Sequence, residues 1–176
     1  MKAVILLAMS LFVVSSTFAS GGFEKEKFQK IIYLAYGGTG NGLNPADPKS
    51  LNADSDLWAI PANTVIEKVY VVVDTAITGT TNLDVGDDDD ADGFVDGSLS
   101  ITLGTAGMYG WDVKNAGAYL RVQTAGATDA ADIYVVPNAK FYSATGKEVK
   151  LDISGTNTAG KARVVIEGYY LGARNQ

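Results

Sequence analysis

Residues Val65–Asp74 read VIEKVYVVVD, and this stretch decides the fold class. Valine, isoleucine and tyrosine crowd it. Such side chains lose rotamer freedom in a helix and pack well on a pleated surface. A run of this kind, entered from Ile60-Pro61 and left toward Thr75, reads as a strand buried on both faces. Thr81–Val85 (TNLDV) reads as a shorter strand after it. Further on, strand patterns fall at Ala118–Thr124, Asp132–Val136, Ala139–Tyr142, Glu148–Ile153 and Ala162–Leu171. In Glu148–Ile153, Val149, Leu151 and Ile153 point one way while Lys150 and Asp152 point the other. Phe94–Leu103 is a weakly patterned return strand, and Gly146, Gly155 and Gly160 fall between runs as turns demand.

Upstream, Phe23–Tyr36 predicts a strand over 28–36 with a helical or extended lead-in. The loop Gly37-Gly-Thr-Gly-Asn-Gly42 lacks the Gly-Lys-Ser/Thr of a phosphate loop, and no helical pattern opens after it. Residues 43–57, with Pro45 and Pro48, continue as irregular chain. No sustained helical stripe follows residue 20. Short strands with turn signals every 8–12 residues predict an all-β, single antiparallel β-sandwich or jelly-roll-like domain after an N-terminal apolar segment. The division is 1–20 for that segment, 21–56 for an N-terminal strand and loop, and 57–176 for the sandwich core.

The first segment opens Met1-Lys2, runs apolar from Ala3 to Val14, and ends in small residues around Thr17 and Ala19. That is the form of a secretory signal peptide, and it is too short to span a bilayer stably, which takes about 20 apolar residues. The alternative is a retained hydrophobic arm that packs inside an assembly.

Absent residue types exclude most chemistry. The 176 residues include no histidine and no cysteine. Serine triads, thiol nucleophiles, most zinc sites, iron–sulfur ligation and disulfides all fall away. A net charge of −6 argues against nucleic acid as a partner, because phosphate contacts need clustered Lys and Arg. The expectation is a protein that is not an enzyme and requires no cofactor.

One motif stays open. Val85–Phe94 reads VGDDDDADGF, and Asp88-x-Asp90-x-Asp92-Gly93 matches the first half of a calcium loop. Asp96 falls where a further ligand would sit, but Leu99 holds the position of the bidentate glutamate, so an EF-hand is excluded. Asp88, Asp90, Asp92 and Asp96 are the candidate metal ligands, with Ca2+ as the ion. The competing reading is a hairpin tip kept soluble by its charge, since exposed carboxylates about 4 Å apart repel by only about 1 kcal/mol in water. A catalytic carboxylate pair would need burial to raise one pKa. Trp58, Trp111, Tyr109 and Tyr119 would be the stacking residues of a sugar-binding module. One of Tyr169-Tyr170 should be buried and the other exposed.

The stretches IPANTVIEKVYVVVDTAITGTTNLDVGDDDDADGFVDGS (60–98) and GKEVKLDISGTNTAGKARVVIEGYYL (146–171) together resemble β-rich structural proteins of tailed bacteriophage virions. Those chains often carry an IPAN-like lead-in, a long Val-rich strand, a GDxxDxDGF-like acidic turn and a closing strand of the form TAGKxRVxIExY. The resemblance implies a non-catalytic, self-associating block of a capsid decoration, head fibre or similar appendage. Its partners would be further copies, or other structural proteins of one assembly. Virion proteins assemble in the cytoplasm, so the export-like segment departs from the pattern. Retention of the segment implies a virion location. Cleavage implies a secreted bacterial surface, matrix or fibre protein, calcium-stabilised if the acidic turn binds an ion.

Overall fold

The computed structural model describes residues 23–97, 103–110, 117–120, 122–123, 133–134 and 139–173. Among them the fold is all-β, with no helix. The strands are β1 (Phe23–Ala35), β2 (Lys49–Ser50), β3 (Ser55–Ile60), β4 (Thr64–Gly86), β5 (Gly107–Tyr109), β6 (Val122–Gln123), β7 (Ile133–Tyr134), β8 (Lys140–Tyr142) and β9 (Lys147–Ala173). One mixed sheet runs β2-β1-β9-β4-β5, with β3 also on β9 and β8 also on β4, and β6-β7 form a separate pair. Only β1 with β2 is parallel.

Two long strands organise everything else. β4 has 23 residues and β9 has 27, and they pair antiparallel from Thr64↔Tyr170 to Gly86↔Lys150. The sequence reading broke each of them in two. The reason for the difference is local. Gly79, Gly155 and Gly160 have φ of 95°, 98° and 128°, in the left-handed region that favours glycine. Here they mark irregularities within continuous strands, not the turns between separate ones, and the register shifts repeatedly between Val73 and Asn82. Gly146 does lie in a turn, between β8 and β9.

Fully extended, β4 would span about 75 Å. Instead its ends meet. Tyr142 of β8 lies opposite Thr64 at the start of β4, and its hydroxyl donates to Asp87, one residue past the end of β4, at 2.6 Å. The ends of β9 meet likewise: Phe28 lies opposite Gly168, Trp58 opposite Val149, and the two rings stand 5.3 Å apart. The ribbon is bent back on itself, and its concave side is the core. That core comprises Ile32 and Leu34, then Leu51, Leu57 and Ile60, then Val69, Val71, Val73, Leu83 and Val85, with Phe94, Val149, Leu151, Val164 and Ile166. Burying each such aliphatic side chain is worth about 1.5–3 kcal/mol.

Alternation is visible along β4. Val69, Val71 and Val73 are buried while Tyr70 and Val72 are half-buried, so the strand has one core face and one partly covered face, not two buried ones. Tyr169 and Tyr170 are both half-buried: Tyr170 stacks on Phe28 at 4.7 Å, and the Lys25 ammonium lies 4.4 Å from the Tyr169 ring. β1 starts at Phe23, so the lead-in is extended, and β3 emerges from the stretch read as irregular. The expected strand at 118–124 is a turn at Ala118–Leu120 followed by β6. The expected return at Phe94–Leu103 reduces, in its described part, to a single bridge from Val95 to Val85. The signal-like segment 1–20, Leu99 and Trp111 lie outside the described residues. Among the described residues no helix is long and apolar enough to cross a membrane.

Candidate functional site: the aspartate turn

The turn begins where β4 runs out. Phe94 and Val95 both donate their amides to the Val85 carbonyl (2.9 and 2.8 Å), and Val85 donates back to Val95 at 3.0 Å. Asp90 O accepts from the Asp87 and Gly93 amides at 2.9 and 3.2 Å. A strap at 117–120 crosses the turn, with Gly117 donating to Phe94 O and Tyr119 donating to Gly93 O, each at 2.7 Å. A side chain at Gly117 would collide with the Asp92 and Gly93 backbone, so the strap approaches this closely only because the residue is glycine.

Asp87 is the centre, and sequence reasoning missed it. Its carboxylate is 3% exposed and accepts four hydrogen bonds: Tyr142 OH at 2.6 Å, Tyr119 OH at 2.8 Å, and the Asp89 and Asp90 amides at 2.9 and 3.2 Å. Burial pushes its pKa up, but the donors, Tyr142 foremost, together outweigh that and hold the carboxyl below its usual value. Burial and the same carboxylate drive both phenols well above theirs. The Lys140 ammonium sits 3.7 Å from the Tyr119 ring centroid, and Phe94 meets that ring edge-on at 5.2 Å. A run of four aspartates gives no hint of which one turns inward. Tyr119 and Tyr142 determine it, from 32 and 55 positions away.

The four residues proposed as ligands are spread. Asp88 pairs with Lys150 at 2.5 Å and accepts the Glu148 amide at 3.1 Å; the lysine and that amide hold its carboxyl low. Its neighbour Asp89 pairs with Lys147 at 2.5 Å. Asp90 and Asp92 are half-buried and Asp96 is buried. Next to Asp92 and Asp96 stands Asp84, whose carboxyl is raised by burial first and then by Asp96, Asp92 and Asp152, although it accepts the Gly97 amide at 2.5 Å. Among the described residues, no three acidic side chains converge as a set able to hold a metal ion.

Chemically the turn is a clasp. Asp87 is saturated with donors, and its phenol partners stay protonated far above neutral pH, so neither is poised to move a proton there. The three described aromatic candidates are engaged within the fold as well. Trp58 packs on Phe28, Tyr119 binds Asp87, and Tyr109 OH donates to Thr105 O at 2.9 Å. A cleft of about 240 Å³ lined by Tyr33, Pro45, Pro48, Asp74, Lys161 and Arg163 is smaller than ordinary ligand pockets of about 300–1,000 Å³, and a larger, more open one of about 510 Å³ runs over Lys27, Phe28, Gln29, Glu67, Lys68 and Glu167.

No family model matches this chain, and no curated protein matches it. One solved structure resembles it. That structure is described as "Acidic stable capsid structure of Helicobacter pylori bacteriophage KHP30"; the match has a TM-score of 0.40 at 14% identity and covers 83% of this chain and 93% of that one. A likeness of that degree supports no inference about activity or partners.

Proposed function

We propose that this chain is a non-catalytic structural protein that self-associates as part of a phage virion surface or appendage. One observation supports the reading above others. The two stretches that resemble virion β-proteins, 60–98 and 146–171, are each other's partners: they supply β4, the aspartate turn and most of β9, which together make the bent ribbon. What the resemblance marks is thus a framework, with its polar groups committed to holding the frame. The return of both ribbon ends supports taking the domain as a β-sandwich of the jelly-roll type. Mass spectrometry of purified, pelleted phage particles tests the proposal. The chain should be present at a fixed stoichiometry to the other capsid proteins. Recovery only as a free chain in the medium, beginning near Gly21, would sink it in favour of a secreted surface or matrix protein.

A second reading, calcium stabilisation through Asp88, Asp90, Asp92 and Asp96, would need side chains that stand apart here to close on the ion; in its favour, Asp92 and Asp96 add to the rise that burial begins at Asp84. A 0.1 mM site in millimolar calcium adds about 1.4 kcal/mol. Equal melting temperatures in calcium and in chelator would dismiss it.

A further inference from the structure

β9 carries one residue whose neighbours on both sides share its charge. Asp152 lies opposite Asp84 of β4, and like charges set directly opposite each other destabilise a sheet. On the other side, β3 begins with Ser55 opposite Leu151, and one step before it stands Asp54. Ile153 donates its amide to Asp54 Oδ1 at 2.9 Å, which holds that carboxyl beside Asp152 and within hydrogen-bonding reach of it. Three carboxyls thus stand abreast, on the lead into β3, on β9 and on β4.

The next row along β9 shows how such a row is matched. Lys150 shares a face with Asp152 and lies opposite Asp56. Its ammonium reaches Asp88 at 2.5 Å and Asp56 at 3.8 Å, so that cation is committed. Around Asp152, the groups facing it are Asp54 and Asp56 from the β3 side and Asp84 from β4, with Asn82 bonded to Asp84. Asp92 and Asp96 act on Asp84 from beyond. A metal ion does not resolve the row, since no three acidic side chains among the described residues form a set able to hold one. A proton is the remaining means of relief.

We propose that Asp152 takes up a proton from solvent in mild acid and donates the new O–H to the Asp54 carboxylate, tying β3 to β9. A hydrogen bond from an acid to a carboxylate is short and stronger than one between neutral groups. Burial raises the Asp152 carboxyl above its ordinary value, and the charge and hydrogen bond of Asp54 raise it further. A carboxyl raised in the fold weakens it at neutral pH. Stability returns as pH falls through the raised value, and the gain is complete below the unfolded value of about 3.9. The tie therefore works against the acid loss at Asp87, whose carboxyl is held low. The strand it fastens contributes Leu57 and Ile60 to the core and Trp58 to the contact with Phe28. The inference concerns the fold alone and stands apart from the virion reading.

Asp152→Asn puts a permanent donor where the protonated acid would stand. In chelator, the full chain bearing it should melt about 2 °C above the wild type at pH 7, and the gap should close by about pH 4. Glu26→Gln removes an equal charge from an exposed site on β1 and should leave the wild-type profile unchanged. An equal gap at both pH values, or a variant that melts below the wild type at pH 7, overturns the proposal. So does a Glu26→Gln chain that reproduces the gap, because the effect would then be one of net charge. Carboxyl-carbon NMR gives the local reading. Asp54→Asn keeps an acceptor for the Ile153 amide and removes the charge, so Asp152 should then titrate at lower pH than in the wild type. An unchanged Asp152 midpoint removes Asp54 as the acceptor, and the tie with it.

Discussion

Asp87 and Asp74 both anchor the fold through a fan of hydrogen bonds, and they differ in almost everything that sets its worth. Asp74 accepts three from Arg163, at 2.7 to 3.2 Å, on the outer face of the sheet, with side chains about one-third exposed on both partners. Asp87 accepts four, from two phenols and two amides, at 3% exposure. The first joins two strands that are already paired, Arg163 lying opposite Val72. The second joins the end of β4 to β8 and to the 117–120 strap, which no ladder links to that end. The count of bonds is similar. Burial and the number of remote donors that depend on it make the second the costlier to lose.

Breaking the comparison at its strong end should give the largest effect. Asp87→Ala leaves two phenol hydroxyls without their acceptor at the base of the turn and should cost about 3–5 kcal/mol in urea unfolding. A loss under about 1 kcal/mol would mean the clasp is redundant. Tyr142→Phe removes one donor and keeps the ring, so about 1–2 kcal/mol is expected by the same assay. At the weak end, Arg163→Ala should cost no more than about 1 kcal/mol, and less in high salt. A cost equal to that of Asp87→Ala would erase the distinction.

Acid sharpens the contrast. A carboxyl held low in the folded state adds stability above its unfolded value of about 3.9 and loses it as pH falls through the lower folded value. Unfolding followed by tryptophan fluorescence across pH 2 to 6 should show this acid loss, and Asp87→Asn should flatten it. The smallest effect has the opposite sign. Asp84 is raised, so its ionised form is disfavoured in the fold at neutral pH, and Asp84→Asn should raise the melting temperature slightly, by under about 1 kcal/mol of stability.

How much of this was legible in the sequence follows the range of the interactions involved. The β character of Val65–Asp74, the alternation of Val149 and Leu151, and the placing of VGDDDDADGF in a turn are local properties, and each stands in the structure. The continuity of β4 and β9 was hidden because glycine serves turns and strand irregularities alike, and only the partner strand decides between them. The inward turn of Asp87 was hidden for the same reason, its partners being remote in the chain. The Asp88 and Asp89 pairs with Lys150 and Lys147 also needed β9 in place before any charge matching was visible.

The register of β1 against β9 has a consequence for the ribosome. Phe23 pairs with Ala173, so the first strand leaves the exit tunnel some 150 residues before its partner exists. At about 5–20 residues per second, that is roughly 8 to 30 s of waiting during synthesis. Through that interval the nascent strand has no β9 to hold it, in a cell crowded with other unfinished chains. The alternating Glu24-Lys25-Glu26-Lys27 then serves before folding begins, keeping the strand solvated until β9 arrives to claim it.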